Sequence, residues 1–259
     1  MTKKTLGFIG GGRITRIFLE GWKRGGVLPA KIVVSDCNAE TLGKLKAKFP
    51  GIETASGNSA AAASQDIVLL AVHPPAMAEV VAGLKGMLKP NALVVSLAPK
   101  FTVAKLTELF GGFARLARVI PNAPSVVNFG FNPVTFGAAL TAADKEEVTG
   151  LLAPLGDCPE VAEEKLEAYA VLSAMGPTYL WFQLQALRDV AAGFGLSDAE
   201  IVPALKHMVC GAARTLLESG LSPADVMDLI PVKPLAEMEP QVVEMYRTRL
   251  PGIYQKIKP

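Results

Sequence analysis

The stretch "GFIGGGRITR", residues 7–16, decides how this chain is read. Apolar residues run into three consecutive glycines, Gly10, Gly11 and Gly12, and Arg13 opens a helical pattern. Glycines at such a turn let the backbone bend sharply and approach a phosphate. The free amides of the helix start and the helix dipole then attract the anion. The series Gly10-x-Gly12-x-x-Thr15 follows the dinucleotide-binding pattern except at its third place, where Gly or Ala normally allows close helix–strand contact. Ile14 completes the loop, and Arg13 adds a positive charge at its mouth. The next apolar run, "KIVVSD", ends on Asp36, about 20 residues further on, where an acid can bond the ribose hydroxyls of NAD. Asp36 also suits a helix N-cap before "NAETLGKL", a place for which Asn38 competes.

Outward from this turn, short apolar runs alternate with helical stretches. "TLGFIG", "KIVVSD", "DIVLLAV", "ALVVSLA" and "ARLARVI" read as continuously apolar strands, the mark of a parallel sheet covered on both faces. "AETLGKLKAKF" and "TVAKLTELF" carry apolar residues at helical spacing, and "FNPVTFGAA" reads as a further strand before the helix "TAADKEEVTGLLAPLG". The fold class expected is α/β: a doubly wound parallel sheet over residues 1–157, followed by an all-α domain over residues 158–259. In the second part no β-rich run appears. Ser197 and Ser222 stand at N-cap places, and Gly195 and Gly220 at C-cap places. "ALKHMVCGAARTLL" offers little polar surface on any face, which implies a homodimer formed through this domain.

Composition bounds the remaining classes. The chain has 259 residues, 50% apolar and 19% charged, enough for a sizeable core. A net charge of +2 and an isoelectric point near 8.4, with no Lys/Arg block, give no footing for a nucleic-acid partner. The start "MTKKTLGFIG" has basic residues but no long apolar segment, so no signal peptide is expected. No run approaches the ~20 apolar residues of a membrane helix, so no membrane partner is expected either. Cys37, Cys158 and Cys210 are odd in number and scattered, which fits a reducing, cytoplasmic setting. With His73 and His207 as the only imidazoles, no metal site is expected.

The motifs taken together resemble the pyrroline-5-carboxylate reductase family over nearly the whole chain. "GGGRI" stands for the family's Gly-x-Gly-Asn-Met, and "AVHPP" for Ala-Val-Lys-Pro-Gln, with His73 in the lysine's place. "RVIPNAP", Arg118 to Pro124, is close to Arg-Val-Met-Pro-Asn-Thr-Pro, and "AMGPTY", Ala174 to Tyr179, corresponds to Gly-Ser-Gly-Pro-Ala-Tyr. The resemblance implies a Rossmann domain followed by a helical domain that forms an intertwined dimer, with NAD or NADP as cofactor and a small-molecule substrate. It implies hydride transfer to the C=N of a small cyclic imine, pyrroline-5-carboxylate to proline or a related reaction. It carries Gly10 and Gly12 over to the pyrophosphate, beside Arg13, Ile14 and Asp36 as read from the loop and the next strand. Val72 and Pro74 line that cofactor, Asn122 stands near the nicotinamide, and His73, in the lysine's place, either stacks beside the adenine or only ends the strand. Gly176 and Pro177 open the substrate-side helix, with Thr178 beside them.

The substrate half departs from the family. "LIPVKPLAEME" stands where Ser-Pro-Gly-Gly-Thr-Thr holds the substrate carboxylate with backbone amides and hydroxyls. Its prolines remove two N–H donors, and Lys233 is the group expected to offset the loss. Ala-Ala-Gly after the fifth strand reads "APK", ending in Lys100. Pyrroline-5-carboxylate is therefore expected to be reduced poorly unless Lys233 reaches the site. No Ser-His-Asp, Cys-His or paired-carboxylate constellation stands out. A protonated imine needs no strong protein acid, so this fits a reductase. A non-catalytic NAD(P)-binding sensor or partner protein is the alternative. Asp36 would repel a 2′-phosphate, which implies a preference for NADH.

Overall fold

The apolar runs become strands because both faces of each are covered. In the computed structural model, which describes residues 4–259, the chain alternates β1 (Leu6–Ile9), α1 (Arg13–Arg24), β2 (Ile32–Asp36), α2 (Ala39–Lys48), β3 (Glu53–Ser56), α3 (Ser59–Ala63), β4 (Ile67–Leu70), α4 (Pro74–Gly83), β5 (Leu93–Ser96), α5 (Val103–Leu109) and β6 (Leu116–Val119). The short strands β7 (Gly130–Phe131), β8 (Val134–Phe136) and β9 (Gly156–Asp157) surround α6 (Ala142–Leu152), and α7 (Leu166–Tyr169) follows. The first three residues of the stretch read for a targeting leader lie outside the described residues.

Seven strands form one sheet in the order β3-β2-β1-β4-β5-β6-β8. All neighbours are parallel except β8, which runs antiparallel to β6. β1 is paired with β2 on one side and β4 on the other, so the strand order reverses around it. Alternate residues feed two cores. Phe8, Val34, Leu69 and Val95 face α1, α2 and α6, whereas Ile9, Val33, Val68 and Val94 face α3, α4 and α5. In the first core the Phe8, Phe18 and Trp22 rings meet at 5.5–6.3 Å, and Trp22 Nε1 donates to the Leu151 carbonyl at 2.9 Å.

The sequence reading missed β3. "ETAS" is polar and mostly exposed, because an edge strand pairs only with β2 and has little to bury.

The described chain divides into two compact units. The first ends at Met175 and takes up the chain again over Ile253–Pro259; the second is Gly176–Gly252. Residues 158–175, expected in the all-α domain, belong with the first unit. Leu166 and Ala170 are buried with Ile120, and Val161, Ala174 and Ile257 pack on them. The second unit is helical: α8 (Pro177–Gly193), α9 (Asp198–Glu218), α10 (Pro223–Asp228) and most of α11 (Glu239–Ile257). Ser197 and Ser222 cap α9 and α10, and Gly195 and Gly220 follow helix ends at positive φ. Ile201 is its one buried residue, while Phe182, Phe194 and Leu217 are 68–80% exposed.

Candidate cofactor and substrate site

The glycine loop lies at the carboxyl edge of the sheet where the strand order reverses. Gly10 has φ 105°, and a Cβ on it would lie 2.5 Å from the Ala71 carbonyl oxygen and 3.3 Å from Val72 Cγ1. The turn after β1 is therefore pressed against the segment leaving β4. Gly12 is the opposite case: its backbone is extended, and a Cβ there meets no atom within 4 Å. The first intrahelical bond of α1 runs from Arg16 N–H to the Gly12 carbonyl, so the amides of Gly12 to Thr15 have no intrahelical acceptor. Open space over Gly12, with those amides and the exposed Arg13 at its rim, fits the pyrophosphate of a dinucleotide. Ile14 turns away and packs on the first core.

Thr15, the mismatch in the sequence pattern, is fully buried, and its hydroxyl donates to the Gly10 carbonyl at 2.6 Å. A side chain at this place thus locks the turn. Asp36, at the end of β2, accepts from Gly11 N–H at 2.7 Å and from Asn38 N–H at 2.8 Å. Asn38 is the N-cap of α2, its side chain accepting from Thr41 N–H. Asp36 therefore does not cap the helix; it fastens the glycine loop to the neighbouring strand. Sequence spacing pointed to Asp36 but not to this partner.

His73 is the exposed N-cap residue of α4, and Pro74 opens that helix. Gly10, Gly12, Arg13, Asp36, Val72, His73 and Pro74 are thus gathered along one edge of the first unit. Asn122 follows β6, is buried, and spends its side chain on the fold. It accepts from Phe131 N–H at 3.0 Å and donates to the Ser173 carbonyl at 3.2 Å.

The same edge holds a charged cluster that sequence reading did not find. Arg118 on β6 is fully buried and donates to Glu163 at 2.9 Å and to Glu167 at 2.5 Å. The same two carboxylates accept from Val103 N–H at 2.7 Å and Lys100 N–H at 3.1 Å. Around one arginine, the two carboxylates thus tie the loop between β5 and α5 to α7 and the segment before it. Nothing in the spacing of Arg118, Glu163 and Glu167 signals this cluster.

Gly176, Pro177, Thr178 and Lys233 belong to the second unit. Gly176 and Pro177 begin α8, and Thr178 is exposed. Lys233 is exposed on the segment between α10 and α11, where its carbonyl accepts from Ala236 N–H. Burial first, and then Tyr246, raise the Tyr179 phenol above its ordinary range. Burial pushes the Cys158 thiol up to about 12, so it is not a thiolate nucleophile at neutral pH. Among the described residues no group of three or more His, Cys, Asp or Glu could hold a metal ion, and no helix is long and apolar enough to cross a membrane.

A strand, a glycine turn with open space over Gly12, and a helix, set where a doubly wound sheet reverses its order, define a dinucleotide-binding α/β protein. Residues 5–100 match the family described as NADP oxidoreductase, coenzyme F420-dependent. The pyrroline-5-carboxylate reductase of Escherichia coli (strain K12) is 30% identical over 229 residues, 88% of this chain and 85% of that protein. The enzyme of the same name from Corynebacterium melassecola is 32% identical, covering 86% of this chain and 83% of that protein. The chain belongs to the pyrroline-5-carboxylate reductase family. Among solved structures, a pyrroline-5-carboxylate reductase from Coxiella burnetii superposes with a TM-score of 0.71 at 27% identity, covering 99% of this chain and 95% of that one. The Plasmodium falciparum pyrroline carboxylate reductase with NADP bound has the same fold, with a TM-score of 0.83 at 21% identity over 100% of this chain and 98% of that one.

Proposed function

We propose that this protein is an NAD(P)H-dependent reductase that acts on the C=N bond of a small cyclic imine, pyrroline-5-carboxylate or a related ring. The observation that carries this reading is family membership over nearly the whole chain, with the glycine loop intact at the sheet's reversal point. Gly10, Gly12, Arg13 and the backbone amide of Ile14 receive the pyrophosphate. Asp36 meets the ribose hydroxyls and disfavours a 2′-phosphate, so NADH is the better cofactor. Val72, His73 and Pro74 line the bound cofactor, and Asn122 fixes the backbone near the nicotinamide.

The dihydronicotinamide, when bound, supplies the hydride. The imine nitrogen enters protonated, so the carbon beside it is electrophilic and accepts the hydride. The C=N π pair becomes the nitrogen lone pair of the amine. No proton from the protein is required, which is consistent with the lack of an evident acid–base pair. Gly176, Pro177, Thr178 and Lys233 provide the substrate side.

The first unit is read as the dinucleotide-binding domain and the second as the dimerisation domain of a homodimer. Exposed Phe182, Phe194 and Leu217 support the second assignment. Three free cysteines fit a cytoplasmic setting, and the reduction of pyrroline-5-carboxylate would serve proline biosynthesis there.

The test is steady-state reduction of pyrroline-5-carboxylate with each cofactor. A kcat/KM above ~10⁴ M⁻¹s⁻¹ with the better cofactor is expected if a lysine of this chain holds the carboxylate that the rewritten segment no longer cradles, and a much lower value if none does. Cofactor binding without turnover on any cyclic imine would instead mark a non-catalytic nucleotide-binding protein.

A further inference from the structure

Lys100 has φ 80°, and Asn128, with φ 59°, is the only other described non-glycine residue at positive φ. Asn tolerates this region, and the Asn128 side chain repays it by donating to the Gly21 and Pro154 carbonyls at 2.8 and 2.6 Å. Lysine has no such local compensation, and glycine would occupy the place freely. Glycine is also the residue that ends the family's Ala-Ala-Gly at this point of the chain. A strained backbone held against the easier residue directs attention to what the side chain does.

The strain is imposed by the buried cluster. Glu167 accepts from Lys100 N–H and from Arg118, and Glu163 accepts from Val103 N–H and from Arg118. The loop is clamped on both sides of residues 101 and 102, while the Lys100 side chain is exposed and makes no ion pair among the described residues. Sheet order places it. Asp36 ends β2 on one side of the glycine loop, and β4 and then β5 lie on the other. A dinucleotide that puts its adenosine ribose against Asp36 extends its reactive half over β4 and β5. Lys100 follows β5 at that end.

We propose that Lys100 is a specificity-determining residue that binds the carboxylate of the cyclic imine. The assignment rests on the reductase reading above. A lysine supplies a point charge from a flexible stem, so it selects for a carboxylate without shaping a cradle for it.

The experiment compares pyrroline-5-carboxylate with 1-pyrroline, the same ring without the carboxylate. Lys100→Met should lower kcat/KM for the carboxylated ring by about 10- to 100-fold, mainly through KM, and leave 1-pyrroline within about twofold. Lys100→Arg should restore much of the loss. Lys100→Gly should lose selectivity as Lys100→Met does, yet melt no lower than wild type, which separates charge from folding. Equal effects of Lys100→Met on both rings, or none on either, would overturn the proposal. So would loss of selectivity in Lys233→Met with Lys100→Met unchanged. Calorimetric binding of L-proline against pyrrolidine reads the same discrimination without turnover. A wild type that reduces neither ring but binds proline through Lys100 keeps this assignment and sinks the reductase reading. Equal proline affinity in wild type and Lys100→Met sinks this assignment alone.

Discussion

Gly10 and Gly12 respond differently to the same added carbon. At Gly10 a Cβ collides with the Ala71 carbonyl, whereas at Gly12 it meets nothing. Gly12→Val should therefore fold normally while its side chain fills the space that the pyrophosphate needs. Its dissociation constant for NADH should rise by about 100-fold or more, with an unchanged circular dichroism spectrum. Undiminished affinity in the folded variant would remove the phosphate assignment. Asp36→Asn removes the charge while keeping an oxygen for Gly11 N–H, and gives up only the exposed bond from Asn38 N–H. Two unit charges ~4 Å apart repel by about 4 kcal/mol at an effective dielectric of ~20, before screening. Asp36→Asn should accordingly shift the NADPH-to-NADH ratio of kcat/KM toward NADPH by about tenfold or more. A wild type that already prefers NADPH tenfold would refute the role given to Asp36. These residues were legible because they sit beside a recognisable turn. The grip of Asp36 on Gly11 was not, since it joins atoms that only the sheet brings together.

Helix α1 shows what packing adds to propensity. Gly21 is buried, and a Cβ on it would come 2.4 Å from the Ser125 carbonyl and 2.5 Å from Leu155 Cδ2. Gly43, in α2, has nothing within 4 Å. Alanine favours both helices by about 1 kcal/mol, but overpacking costs about 1–3 kcal/mol. Gly43→Ala should raise the urea midpoint and Gly21→Ala should lower it; equal shifts would contradict the packing of α1. At the start of β4, Asp66 accepts from Thr5 N–H, Thr5 Oγ1 and Lys89 Nζ. The Lys89 bond is the main reason its carboxyl drops to about 2. A depressed pKa stabilises above the unfolded value of 3.8 and is lost as pH falls through about 2. Asp66→Asn should flatten the stability profile between about pH 4 and 2. At neutral pH it should cost no more than about 1 kcal/mol, because the side chain is a third exposed. The apolar strands were readable one by one from burial on both faces. β3 was not, because an edge strand leaves no apolar signature, and the antiparallel turn of β8 depends on pairing and not on composition.

At the scale of the molecule, the second unit buries Ile201 alone and leaves Phe182, Phe194 and Leu217 mostly exposed. Each large side chain fully buried contributes about 1.5–3 kcal/mol, so covering Phe182, Phe194 and Leu217 would be a substantial gain. Light scattering should give about twice the 27.3 kDa chain mass, with a melting temperature that rises with concentration. Phe182→Glu with Leu217→Glu should yield a monomer; a wild type that is monomeric at micromolar concentration ends the dimer reading. The sequence placed the domain border at 157/158 because helical patterning begins there. The first compact unit runs on to Met175, and within it Glu163 and Glu167 answer Arg118, a partnership invisible to periodicity. The first unit also closes late. Ile257 packs on the cluster of Ile120, Leu166 and Ala170, and the whole second unit intervenes in the chain. On a ribosome adding about 5–20 residues per second, that seal arrives on the order of 4–15 s after Met175. Until then a nascent chain carries an uncovered apolar spot beside the unfinished helices, so chaperone dependence during synthesis should fall when translation of residues 176–252 is accelerated.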